Sequence, residues 1–189
     1  IFSNGYDESE INTVLRTMEK YIFLIFRISR RQANTGDSEF YRFSRDIYYE
    51  EKTLTEINNQ IKQWIFGSEE EDGYYEIKKF KEYLEERFSR FKDGFYGWNG
   101  LKYFLYEYDL NLKESSKEEH KKINWNDFNK EKTNYVSVEH ILPQTSTDEY
   151  WKQRFSQFDK DEMINLCNTL GNLVPLSQKK NSSLQNDPF

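Results

Sequence analysis

The sequence predicts an α+β protein, mainly α: a helical N-terminal part over residues 1–122, then a small strand-strand-helix core over residues 123–189 that carries a helical insertion. Three observations predict it. Apolar residues recur at helical spacing in five stretches of the first part, whereas the later part holds two short apolar runs bounded by turn residues. Aromatic residues make up 17% of the chain and offset a modest 36% hydrophobic content, so there is bulk enough for a core. At 189 residues, the chain suits one medium domain or two small ones.

The first helix is expected from about Asp7 to Ser29, with Ile11, Val14, Leu15, Met18, Ile22, Ile25 and Phe26 at helical spacing. Asn34 to Ser38 reads as a loop, with Asp37 or Ser38 capping a second helix that includes Phe40, Phe43 and Ile47. Thr53-Leu-Thr-Glu56 is a capping box that opens a third helix through Ile57, Ile61, Trp64 and Ile65, and Gly67 ends it. Tyr75 to about Phe91 is amphipathic, with Ile77, Phe80, Leu84, Phe88 and Phe91 on one side. Trp98 to Tyr108 gives the fifth stripe, and its aromatics read as packing rather than base-stacking groups.

Leu112 to Lys122 is charged and contains serines, which makes it the linker candidate. His120 inside it reads as solvated, since no other ligand type lies nearby at metal spacing. Ile123, Trp125 and Phe128 are apolar anchors for the core that follows. Tyr135 to Leu142 is a short β-branched run closed by Pro143, which places His140 near a strand end. Ser146 to Asn168 is long for a hairpin connection, and Tyr150, Trp151, Phe155 and Phe158 point to a small helical insertion. Leu170 to Leu176 is the second strand, and Gln178 to Gln185 reads as a short helix with Asn181 near its first turn.

Composition narrows the function classes. A single cysteine, Cys167, excludes an internal disulfide and a CxxC zinc knuckle, and suits a reducing compartment. No apolar run reaches the length of a membrane-spanning helix, and mean hydropathy is -0.98. The net charge of -6 is unfavourable for holding phosphates. It is unevenly spread: residues 132–189 carry six Lys/Arg against seven Asp/Glu, so nearly all the excess lies in the first 131 residues. Local positive surface and a bound cation can still serve a nucleic-acid enzyme.

The chemistry centres on Glu139-His140. An imidazole near its ordinary pKa is largely neutral at pH 7 and can take a proton from water. The neighbouring carboxylate stays ionised and suits Mg²⁺ or Mn²⁺. Side chains adjacent on a regular strand point to opposite faces, so a shared site needs a main-chain carbonyl from one of them or a bulge at the strand end. The reading is a one-metal hydrolytic site.

These residues also carry a resemblance. Glu139-His140-Ile141-Leu142-Pro143-Gln144, then Leu170-Gly171-Asn172-Leu173-Val174, then Asn181 nine positions after Asn172, resemble the ββα-metal (His-Me finger, HNH) nuclease core. More narrowly, they resemble the C-terminal nuclease domain of GmrSD-type modification-dependent restriction enzymes. Trp151, the Asn168 to Leu173 run, the Lys180 to Asn186 stretch and Leu101 to Tyr108 extend the likeness. The resemblance implies His140 as general base, Glu139 and Asn181 as metal ligands, and Asn172 as a catalytic-site residue that braces the loop or the histidine. It implies DNA as substrate, 5′-phosphate products and anti-phage defence in a bacterial or archaeal cytoplasm. It also implies an N-terminal nucleotide-handling domain of ParB-like fold as partner, which these residues do not include, and the chain is expected to be a fragment. Arg27, Arg30, Arg31, Arg42, Arg45, Lys179 and Lys180 are the candidate phosphate contacts; the competing reading has the arginines facing water and pairing with Asp and Glu. The alternative function is a catalytically inactive nucleic-acid-binding or scaffold module of the same fold.

Overall fold

The computed structural model describes residues 5–116, 125–129, 136–145 and 148–177. The chain is α+β and mainly α, with one two-stranded sheet among the described residues. It divides into two compact units, Ile1–Tyr83 and Leu84–Phe189. Among the described residues, no helix is long and apolar enough to cross a membrane.

In the first unit, α1 (Glu8–Tyr21) starts where the Asp7 carboxylate accepts the Ser9 N–H at 3.0 Å. It continues without a break into a π-helical segment, Ile22–Ile28. Within it Ile25 and Ile28 are buried, on the same face as Val14 and Tyr21, while Ile22 is exposed. Leu15, counted above among the apolar positions, is exposed beside buried Val14. The segment ends at buried Ser29, whose hydroxyl donates to Leu24 O at 2.8 Å and accepts from Glu76 N at 2.6 Å.

α2 (Asp37–Tyr48) is not capped by Asp37 or Ser38 as the sequence suggests. Gly36 holds the cap position at φ 83°, and a Cβ there would lie 2.6 Å from the Tyr21 hydroxyl, so a side-chain cap has no room. α3 (Leu54–Phe66) opens with the expected Thr53/Glu56 capping box and stops at Gly67, φ 84°. Its Leu54, Ile57, Ile61 and Ile65 pack with Ile11, Val14, Ile25, Phe43 and Ile47 into one core. Trp64 stacks on Phe43, with ring centroids 4.9 Å apart.

Tyr21 lies inside that core with its hydroxyl donating to Thr35 O at 2.9 Å. Burial pushes its phenol up to about 12 from an ordinary 10.0. The folded state therefore favours the neutral phenol, and this stability is intact below pH 10 and lost as pH rises toward 12. Urea titrations of the parent and Tyr21→Phe at pH 9 and pH 12 should show the parent losing roughly 2 kcal/mol more than the variant. Equal losses would mean that the buried phenol does not set this alkaline limit.

α4 (Ile77–Arg90) begins in the first unit and ends in the second. In the second unit, Trp98 is buried ahead of α5 (Leu101–Ser116) rather than within it. α5 runs past Tyr108 through Ser116, so the first part of the expected linker is helix; an i,i+4 pair of Asp109 and Lys113 supports that extension. α6 (Trp125–Asn129) buries Phe128 fully. β1 (Val136–His140) pairs antiparallel with β2 (Leu173–Ser177) in a regular register from Val136↔Ser177 to His140↔Leu173. Between the strands come α7 (Glu149–Arg154) and α8 (Lys160–Cys167), which form the expected helical insertion. Trp151, Leu142 and Cys167 make its small core with Phe155, Met163 and Leu166.

Candidate functional site

His140 closes β1 and is half-buried. Three segments hold this residue. β2 fixes its main chain through the Leu173 pairing. The Tyr96 ring, from the connection between α4 and α5, lies 4.5 Å from the imidazole centroid at a tilt of 47°. Asn168, at the C-terminal cap of α8, brings its Oδ1 to 3.4 Å from His140 Nε2. Burial holds the imidazole below the ordinary histidine value, while the Asn168 hydrogen bond and the Glu139 charge pull the other way. The ring is neutral at pH 7, which is the state a proton acceptor needs.

Asn168 was not among the residues the sequence singles out for chemistry, yet it is almost fully buried and holds several strands of chain together. Its Nδ2 donates to Lys92 O at 2.7 Å and to Ile164 O at 3.0 Å, and its carbonyl accepts from Phe95 N at 3.1 Å. Lys92 has φ 55° and Gly94 φ 36°, so this connection is a tight left-handed turn that the Asn168 contacts close. The Lys92 ammonium pairs with Asp161 on α8. A sequence signal for Asn168 did exist, since it opens the Asn-Thr-Leu-Gly-Asn run, but nothing local ties it to His140. Tyr96 had no such signal.

Asn172 lies in the 3₁₀ turn Leu170–Asn172 just before β2, not in the strand itself. Its carboxamide accepts Leu142 N–H at 2.7 Å and donates to Leu142 O at 3.0 Å and Cys167 O at 2.8 Å, while its carbonyl accepts Ile141 N–H at 2.9 Å. One side chain thus continues the sheet pairing past His140 and pins the chain that turns at Pro143. The buried Cys167 thiol, its pKa pushed up by burial, donates weakly to Pro143 O at 3.6 Å.

Glu139 is half-buried next to His140 and pairs with Val174. The ladder carries no bulge, so pleating sends the Glu139 and His140 side chains to opposite faces. A cation beside His140 would meet Glu139 through its main-chain carbonyl or around the end of the strand. The donor types suit a hard cation held by few protein ligands and several waters, although no cluster of three or more His, Cys, Asp or Glu occurs among the described residues. Asn181, Lys179 and Lys180 lie outside the described residues.

In the first unit, Arg31 pairs with Glu76 and donates through Nε to Tyr74 O at 2.9 Å. Arg42 pairs with Glu39 at 2.6 Å, and Arg45 with buried Asp46 at 2.9 Å. Arg30 lies 3.9 Å over the Tyr83 ring, and Arg27 is exposed. Any phosphate contact by Arg31, Arg42 or Arg45 would compete with these carboxylates.

The sequence model of the C-terminal domain of GmrSD restriction endonucleases matches residues 78–189, which include the whole of the His140 site. No curated protein and no solved structure shows significant similarity to the chain.

Proposed function

Since the chain belongs to the family of GmrSD restriction endonuclease C-terminal domains, we propose that its second unit is an HNH-type DNA nuclease in which His140 activates the attacking water. One observation carries this reading: a half-buried imidazole stands at the end of β1, whose main chain β2 pairs, against Tyr96 and Asn168, inside the family-matched region. His140 takes the water proton, and hydroxide attacks the scissile phosphodiester. A bound Mg²⁺ or Mn²⁺ would neutralise charge developing on the phosphate and the leaving 3′ oxygen. Glu139 and Asn181 would hold that cation. Asn172 fixes the turn after His140, so that the imidazole is presented on a rigid end of the sheet.

Target choice belongs, on this reading, to an N-terminal nucleotide-handling domain of ParB-like fold. The 189 residues carry a net charge of -6, and three of the five candidate arginines are engaged by carboxylates, so the isolated chain should bind duplex weakly and with a steep salt dependence.

Plasmid nicking with Mg²⁺, Mn²⁺ or no added cation tests the proposal. Cation-dependent nicking by the parent, abolished in a Glu139→Ala/Asn181→Ala double variant, is the expected result. Cation-independent cleavage would remove the metal from the reading. Failure to nick under any of these conditions would favour the binding or scaffold module.

A further inference from the structure

We infer that Asn168 is a positioning residue for His140, holding the imidazole as its Nε2–H tautomer so that Nδ1 is the nitrogen that takes the water proton. The last clause rests on the nuclease reading above; the tautomer assignment does not. The orientation of the Asn168 carboxamide follows from its surroundings. Its nitrogen faces two carbonyls, Lys92 O at 2.7 Å and Ile164 O at 3.0 Å. A carbonyl can only accept, so the amide group that meets them is the NH₂, and Oδ1 is left facing the imidazole. Oδ1 likewise can only accept. The His140 nitrogen opposite it, Nε2, therefore carries the proton. The separation of 3.4 Å is at the long end for N–H···O.

Three features make this a built arrangement. Asn168 is 5% exposed, so water does not compete strongly for Oδ1. Both ends of its amide are committed, so it cannot flip without leaving two carbonyls unpaired. Among the described residues, no hydrogen bond reaches Nδ1 of His140. The main-chain carbonyl of Asn168 also receives Phe95 N–H, which seats the neighbouring Tyr96 against the ring. A single residue thereby sets the tautomer and the covering wall.

Nitrogen NMR of the chain labelled at histidine reads the tautomer directly, because the sequence holds two histidines, His120 and His140, and a His140→Ala sample assigns them. The parent at a pH where the ring is neutral should show a protonated Nε2 and a bare Nδ1. Asn168→Ala should relax this to a mixture, and should lower kcat for nicking by about 10- to 100-fold with KM for DNA little changed, the usual worth of an outer partner that orients a functional histidine. A bare Nε2 in the parent overturns the inference, and that measurement needs no variant to fold. So does an unchanged tautomer in a folded Asn168→Ala chain. If the tautomer behaves as expected but the parent does not nick DNA with any cation, the positioning stands and the nuclease reading falls.

Discussion

His140→Ala should lower the rate of DNA cleavage by about 10² to 10⁴-fold, the usual worth of a positioned general base. The substitution is clean for structural reasons. His140 is at the strand's end, its main-chain pairing with Leu173 needs no side chain, and its imidazole contributes a tilted face to Tyr96 and one long hydrogen bond to Asn168. Melting temperature and far-ultraviolet dichroism should therefore stay near the parent's while turnover collapses. The parent should also carry an acid limb displaced downward: burial lowers the imidazole pKa from the ordinary histidine value, so the half-maximal rate should fall below pH 6.5. Cleavage by the variant at the parental rate would mean that another group activates water.

Asn172→Ala should destabilise the second unit by roughly 2–4 kcal/mol. The carboxamide satisfies Leu142 N–H, Leu142 O and Cys167 O at distances of 2.7 to 3.0 Å. Leu142 and Cys167 are both buried, so water reaches the groups left behind poorly. Asn172→Asp is the sharper control. It keeps an acceptor for Leu142 N–H but turns a carboxylate oxygen toward two carbonyls, and should be no better than alanine. Chemical denaturation of both variants measures the loss, and an alanine variant within about 0.5 kcal/mol of the parent would show that the turn after His140 does not depend on this side chain.

The periodic parts of the fold were legible in the residues. The stripes through Ile57, Ile61 and Ile65 and the Thr53/Glu56 box specify α3 by local chemistry alone, and the structure follows them. The two strands and the helices between them were legible too, from β-branched runs and an over-long connection rich in aromatics. What local reading missed depends on distant partners. Leu15 and Ile22 look like stripe members, but both lie at the edge of the face that Val14, Tyr21, Ile25 and Ile28 turn to the core. Gly36 displaces the expected cap because Tyr21 occupies the space above it. At the site, His140 and its strand-end position came from the motif, whereas Asn168 and Tyr96 reach it only through contacts spanning 28 or more positions, which no spacing rule encodes.

The bond from Asn168 to the Lys92 carbonyl joins positions 76 apart, and β1 meets β2 only after residues 141–172 have been gathered in. Such closures are entropically demanding and come late compared with helix formation. On refolding from denaturant, helical signal should thus recover in an early phase and nicking competence in a slower one. The chain would pass through a helical but harmless intermediate, with its hydrolytic centre the last thing to exist.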